Sequence, residues 1–134
     1  MAKKVLIVDD SFVMRTLIKD IVSADPELEV VGDAANGQLG LDAAKKFSPD
    51  VILLDIEMPV MDGLECLKRL KLISKAKVII VSSVAQTGSP QALQARRDGA
   101  ADVIAKPSGA MSLDLADKKG HDIVKAVRMA AGLR

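Results

Sequence analysis

Residues 51–55 read Val-Ile-Leu-Leu-Asp, four consecutive apolar side chains that end at a carboxylate. An unbroken apolar run of this length is typical of a strand that is covered on both faces, whereas a half-exposed strand alternates apolar and polar residues. Val and Ile, which suit the pleated surface of a sheet, recur in four similar runs along the chain. Those runs are Val5–Val8, Val30–Val31 with their neighbours, Val78–Val81 and Val103–Ala105.

The segments between these runs have helical spacing. Apolar residues recur at steps of three and four from Phe12 to Ile21, behind Ser11 as a candidate N-cap. The later helices are predicted over Gln38–Phe47, about Leu64–Leu72, about Pro90–Asp98 with Gly99 as the stop, and about His121–Leu133. The longest irregular stretch would then run from Lys106 to about Lys119.

The order of the elements is a strand followed by a helix, repeated five times. Crossover helices of this kind favour parallel strands in one sheet with helices on both faces. The chain has 134 residues, of which 49% are hydrophobic and 28% charged, which fits one domain with a single core. The sequence therefore predicts one α/β domain over residues 1–134, a doubly wound (βα)5 fold with a five-stranded parallel sheet.

Composition argues against several classes of function. The formal net charge is +1 and the aromatic residues are Phe12 and Phe47 alone, so a general nucleic-acid surface, which needs positive charge and stacking rings, is not expected. One cysteine, Cys66, excludes an internal disulfide framework. No apolar run approaches the roughly 18 residues of a membrane span or has the form of a signal peptide. A cytoplasmic protein with no membrane partner is expected.

Polar side chains stand where four of the predicted strands end. In an open α/β sheet, ligands bind outside the carboxyl ends of the strands, so these side chains are expected at one edge. Taken singly, each has an ordinary interpretation as a turn, cap or solvated residue. The residues are Asp9 and Asp10 after the first strand, Asp55 after the third, Ser82 and Ser83 after the fourth, and Lys106 after the fifth.

Together these side chains indicate a site for a phosphoryl group. Three neighbouring carboxylates repel one another unless a cation lies among them, and oxygen ligands without His or thiolate suit Mg²⁺. Lys106 and Ser82 would contact phosphate oxygens. The chain has no Walker loop and no G-x-G-x-x-G motif to hold a nucleotide. The phosphoryl group is therefore expected on a carboxylate, and Asp55 on the central strand is the candidate nucleophile.

These residues resemble the receiver domains of two-component response regulators over the whole chain. The resemblance lies in Asp9-Asp10, in the segment from Asp55 to Gly63, in Ser82 and in Lys106-Pro107. It implies a flavodoxin-like, CheY-like fold and transfer of a phosphoryl group from a histidine kinase to Asp55. It also implies that Asp9, Asp10, Asp55 and the backbone carbonyl of Glu57 bind Mg²⁺, that Ser82 and Lys106 contact the phosphate, and that the Lys106–Pro107 bond is cis.

A narrower resemblance is to the receivers of chemotaxis protein-glutamate methylesterases, the CheB family. It lies in Asp-Ile-Glu-Met-Pro (residues 55–59), Val-Ser-Ser-Val (81–84) and the Ser- and Gly-containing segment 106–114. This resemblance implies that the chain is a phosphoacceptor and not itself an enzyme, with a catalytic methylesterase domain after residue 134. A single-domain chemotaxis regulator is the alternative.

Two further points remain open at the level of sequence. Receivers usually carry Phe or Tyr three residues before the lysine, and Val103 stands there; phosphorylation is therefore expected to shift the Ser82–Ser89 segment more than the fifth strand. A Mg²⁺-dependent phosphatase or phosphotransferase with Asp55 as nucleophile is a second class of function, since Glu57 supplies the acid two residues later.

His121 is expected to be exposed and Cys66 to be buried or half-buried.

Overall fold

The computed structural model describes residues 2–83, 88–106 and 113–133. All the predicted strands and helices are present in the predicted order. The strands are β1 (Lys3–Val8), β2 (Leu28–Ala34), β3 (Val51–Leu54), β4 (Lys77–Ser82) and β5 (Asp102–Ala105). The helices are α1 (Phe12–Ser23), α2 (Gly37–Phe47), α3 (Gly63–Ile73), α4 (Pro90–Arg97) and α5 (Leu113–Ala130).

The strands form one parallel sheet, as predicted, and their order is β2-β1-β3-β4-β5. The chain moves from β1 to β2 and then crosses to the other side of β1, which makes the gap between β1 and β3 a switch point where ligands bind in such sheets. Val8 at the end of β1 pairs with Leu54 at the end of β3. The residues that follow, Asp9 and Asp55, therefore leave the sheet side by side.

The edges of the sheet differ from its centre. β5 has four residues, and the opposite edge strand, β2, exposes Glu29 and Asp33. The pairing of β1 with β2 also shifts between Val5 and Leu6, so that Val31 is an extra residue on the edge strand. The central strands β1 and β3, in contrast, bury four consecutive apolar residues each.

Alternate residues of the central strands supply two separate cores. Leu6, Ile52 and Ile80 pack with residues of α2, α3 and α4. Ile7, Leu53 and Ile79 pack with residues of α1 and α5 on the opposite face. Helices therefore cover both faces of the sheet, which is the physical reason for the unbroken apolar runs in the sequence.

Side-chain caps fix the starts of four helices near the carboxyl edge of the sheet. The predicted cap is confirmed: the hydroxyl of Ser11 accepts a hydrogen bond from the N–H of Met14. Three further caps, which the sequence analysis did not include, act in the same way on α2, α3 and α4. They are Asn36, Asp62 and Ser89.

The last helix differs from its prediction. It was expected over about His121–Leu133, but it extends over Leu113–Ala130. Gly120, which precedes the predicted start, lies within the helix, where a Cβ atom would meet Ile21 of α1 at 3.3 Å, so this glycine allows close packing of the two helices. The helix ends before Leu133 because Gly132 adopts a positive φ of 80°.

In the part of the chain that the structure describes, no helix combines the length and the apolar character that crossing a membrane requires.

The loop between β3 and α3 is held tightly against the end of β3. The N–H of Gly63 donates to the carbonyl of Ile56 at 2.7 Å. A Cβ atom on Gly63 would overlap the carbonyl oxygen of Asp55 and lie 2.6 Å from the Cα atom of Ile56. Within the same loop, Val60 has a φ of 70°, which is unfavourable for a β-branched residue. The backbone at Asp55 is therefore fixed by close packing as well as by the sheet.

Replacement of Gly63 by alanine tests this packing. We expect Gly63→Ala to lower the free energy of unfolding by about 3 kcal/mol, because backbone rather than a flexible side chain must move to admit the methyl group. Urea unfolding followed by circular dichroism measures the change. Gly120→Ala is the matched control, since the atoms nearest to its methyl group would belong to the Ile21 side chain, which can shift more easily than backbone. Equal loss in the two variants would contradict the explanation.

Candidate functional site

Three carboxylates meet at the carboxyl edge of the sheet. Oxygen atoms of Asp9, Asp10 and Asp55 lie within 4.8 Å of one another. Asp9 and Asp55 are buried, with 1% and 5% exposure, whereas Asp10 is exposed. The sequence prediction that these acids converge is confirmed by their positions. The group is open to solvent on the side of Asp10, from which a ligand can enter.

Asp9 is held through both its backbone and its side chain. Its N–H donates to the carbonyl of Ala34 at 3.0 Å, which continues the pairing of β1 with β2. Its Oδ1 atom accepts the N–H of Ser11 at 2.8 Å. Its Oδ2 atom forms an ion pair with the ammonium of Lys106 at 2.6 Å. The two side-chain contacts fix the direction of the carboxylate, and the Lys106 ammonium compensates part of its charge.

Asp55 has a different set of neighbours. Its Oδ1 atom accepts the N–H of Ile56 at 2.8 Å, and its Oδ2 atom lies 3.4 Å from the ammonium of Lys106. Its side chain also shares a hydrogen bond with that of Ser82, which is fully buried. Lys106 thus bridges the two buried carboxylates, and Ser82 and Lys106 both reach the candidate nucleophile as predicted.

The pKa of the Asp55 carboxyl is raised above its ordinary value of 3.8. Burial is the largest cause, because it removes the carboxylate from water, and the charge of Asp9 adds to it. The hydrogen bond with Ser82 and the charge of Lys106 act in the opposite direction but do not offset burial. A cation that stabilises the ionised Asp55 carboxylate would therefore bind favourably next to it.

The donor set fits a hard divalent cation. Three carboxylates and one ammonium leave two negative charges in excess, and all the candidate ligands are oxygen atoms. Such ligands suit Mg²⁺, which retains several waters and is commonly held by one or two carboxylates. The side chain of Glu57 is exposed and is not one of the three clustered carboxylates in the described residues.

Other sequence predictions have mixed outcomes. His121 is exposed, as predicted. Cys66 is fully buried, also as predicted, and burial raises the pKa of its thiol to about 12. Ser83 is exposed and is not part of the cluster as described. The predicted cis bond involves Pro107, which lies outside the described residues, and so do positions 84–87 of the Ser82–Ser89 segment.

Arg15 was missed by the sequence analysis. Its guanidinium donates to the backbone carbonyl of Asp9 at 2.7 Å and to the carboxylate of Asp33 at 3.1 Å. An arginine within a helix usually extends into water, so its identity alone gave no signal.

Comparison with known proteins identifies the family. The sequence model of the response regulator receiver domain matches residues 5–118. The chain belongs to the response regulator receiver family. The expected fold is confirmed by solved receivers: the response regulator domain of Thermotoga maritima CheB is 37% identical, with a TM-score of 0.92 over 100% of this chain and 99% of that one. The resemblance to CheB-type receivers is likewise confirmed.

Two further relatives bear on the context of this receiver. A protein-glutamate methylesterase/protein-glutamine glutaminase 1 of Syntrophomonas wolfei is 49% identical over 96% of this chain and 36% of its own length. The receiver thus spans about a third of that relative. A structure of the P1 domain of CheA3 in complex with CheY6 from R. sphaeroides matches at 44% identity, with a TM-score of 0.78 and 97% coverage of each chain.

Removal of the Asp55 charge should stabilise the metal-free receiver. The folded-state pKa of Asp55 is raised, so its ionisation opposes folding, and Asp55→Asn should be more stable than wild type at neutral pH. As pH falls through the folded-state pKa, wild type takes up the proton and the difference shrinks. Below the ordinary value of 3.8 the difference should be absent.

Urea unfolding without Mg²⁺, repeated across this pH range, measures the difference. Asp42→Asn, at an exposed carboxylate on α2, is the control for the loss of one carboxylate. A stability difference for Asp55→Asn that stays constant from neutral to acidic pH would contradict a raised pKa of Asp55 in the folded state.

Proposed function

We propose that this receiver accepts a phosphoryl group on Asp55 from a histidine kinase in the presence of Mg²⁺. The observation that supports this most is the set of neighbours around Asp55. A buried carboxylate contacts one ammonium and one hydroxyl, and two further carboxylates lie within 4.8 Å. This arrangement can place an anionic group on Asp55 and compensate its charge.

The metal would be held by Asp9, Asp10 and Asp55 with the backbone carbonyl of Glu57. When bound, Mg²⁺ supplies positive charge that stabilises the developing charge on the transferring phosphoryl oxygens. Asp9 and Asp10 would keep this charge close to Asp55, and contacts with Ser11 and Lys106 hold the Asp9 carboxylate in place. Asp10 lies at the exposed side of the cluster, where a metal would be able to enter.

In the transfer step, a carboxylate oxygen of Asp55 attacks the phosphorus of a phosphohistidine. A P–O bond forms while the P–N bond breaks, and the electron pair of that bond returns to the imidazole nitrogen. Lys106 neutralises part of the charge on the phosphoryl oxygens, and the Ser82 hydroxyl donates a hydrogen bond to them. Burial of Asp55 keeps bulk water away from the reacting atoms.

The relatives support two partners for this receiver, a histidine kinase and a methylesterase domain. The complex of CheY6 with the P1 domain of CheA3 supports a chemotaxis-type histidine kinase as the phosphoryl donor. The methylesterase relative, of which this receiver spans 36%, supports a catalytic methylesterase domain after residue 134 whose output the phosphorylated surface controls. Residues 1–134 would then be the regulatory domain of a longer methylesterase. We expect this protein to be cytoplasmic.

Phosphorylation of the isolated receiver tests the central proposal. Incubation with acetyl phosphate and Mg²⁺ should add one phosphoryl group, detected by intact-mass spectrometry, and Asp55→Asn should abolish it. Lys106→Met should reduce the yield at least tenfold, because the phosphoryl charge loses its ammonium partner. Asp42→Asn is the matched acidic control and should be modified like wild type.

An adduct that persists in Asp55→Asn would contradict the assignment of the nucleophile. Rapid turnover of many phosphate esters without a detectable adduct would favour the phosphatase class over a receiver function.

The response to phosphorylation should be centred on the Ser82–Ser89 segment that follows the fourth strand. Val103, which is partly buried, stands where receivers usually carry an aromatic ring, so a smaller rearrangement is expected at β5 than near Ser82. Amide chemical shifts recorded with and without the phosphoryl group should change more at Ser82 and Ser89 than at Val103. A larger change at Val103 would argue against this order.

A further inference from the structure

Arg15 joins three parts of the molecule behind the acidic cluster. It lies in the first half of α1, and its side chain is 15% exposed. Its Nη1 atom donates to the carbonyl oxygen of Asp9 at 2.7 Å, and its Nε atom donates to Asp33 of β2 at 3.1 Å. Its guanidinium also lies 5.7 Å from the centre of the Phe12 ring. These contacts fix the guanidinium between β1, β2 and the start of α1.

The carbonyl that Arg15 holds belongs to the peptide bond between Asp9 and Asp10. The plane of this peptide determines the direction in which each of the two acidic side chains leaves the backbone. Asp9 has further restraints at its own N–H and at both carboxylate oxygens. Asp10 is exposed, so its direction depends more on the peptide that precedes it.

We propose that Arg15 is a positioning residue that orients Asp9 and Asp10 for Mg²⁺ through the carbonyl of Asp9. The inference rests on the proposed function, since it takes Mg²⁺ as the ligand of the acidic cluster. Arg15 does not contact the metal ligands' carboxylates in the described contacts. It acts on the metal ligands through a hydrogen bond to the backbone that carries them. Outer partners of this kind commonly change metal affinity by about 10- to 100-fold.

The proposal predicts a change in Mg²⁺ affinity opposite to the change that the charge of Arg15 alone would cause. A guanidinium near a cation site should weaken Mg²⁺ binding if charge alone mattered, so its removal should tighten binding. Orientation of the acids has the opposite consequence, because its removal should weaken binding. Asp33 pairs with the guanidinium, so it offsets the positive charge beside the site.

Mg²⁺ affinity of three variants separates these effects. Arg15→Met keeps the apolar stem of the side chain but loses every donor. Asp33→Asn weakens the ion pair and leaves the contact with the Asp9 carbonyl. Arg69→Met is the matched control, since Arg69 forms an exposed ion pair with Glu65 on α3. Mg²⁺ titrations are followed by amide chemical shifts of Asp9, Asp10 and Ile56, and by the increase in urea stability that bound metal causes.

We expect the dissociation constant for Mg²⁺ to rise about tenfold in Arg15→Met. It should stay within about threefold of wild type in Asp33→Asn, because the Asp33 carboxylate is about half exposed to water, and in Arg69→Met, because both partners of that ion pair are exposed. If Arg15→Met does not fold, Arg15→Gln, which is also neutral and a good helix former, replaces it with the same expected direction.

Unchanged or tighter Mg²⁺ binding in Arg15→Met would overturn the proposal. So would an equal loss in Asp33→Asn, since the ion pair and not the carbonyl contact would then be responsible. If wild type itself showed no Mg²⁺-dependent shift, the proposed function would fail together with the inference. Normal Mg²⁺ binding by wild type with no loss in Arg15→Met would leave the proposed function standing and reject Arg15 alone.

Discussion

The pairing of Lys106 with Asp9 and Asp55 is the interaction on which the site depends. Two buried carboxylates leave adjacent strands side by side, and in a medium of low polarity their repulsion is costly. The ammonium from the end of β5 lies 2.6 Å from one and 3.4 Å from the other. It joins three strands of the sheet at one point. Burial still raises the pKa of Asp55 in spite of this ammonium, which leaves the carboxylate receptive to a further cation.

The positions of these three side chains depend on the register of the strands that carry them. Val8 is paired with Leu54, and Leu54 with Ile80. A slip of one residue would turn every side chain of a strand to the opposite face. Because both faces are covered by separate apolar cores, such a slip would exchange their contents and is strongly disfavoured. The core thus sets the distance between the carboxylates, and Gly63 fixes the backbone that carries Asp55.

The sequence could predict those parts of the structure that leave a local pattern. Unbroken apolar runs identify the strands, and the acids at their ends identify the site, because parallel strands share one carboxyl edge. The start of α5 could not be predicted, since Gly120 resembles a helix break until Ile21 is seen packed against it. Arg15 could not be assigned either, because its contact with the carbonyl of Asp9 is a tertiary contact that no spacing rule encodes.

The two edges of the sheet limit how this domain can meet other proteins. An incoming peptide strand would find four residues on β5. On β2 it would find an extra residue at Val31 and exposed carboxylates at Glu29 and Asp33. Short, irregular and charged edges resist backbone pairing with another chain. Addition of a further strand is therefore disfavoured at both edges of the sheet, which also opposes sheet-to-sheet aggregation.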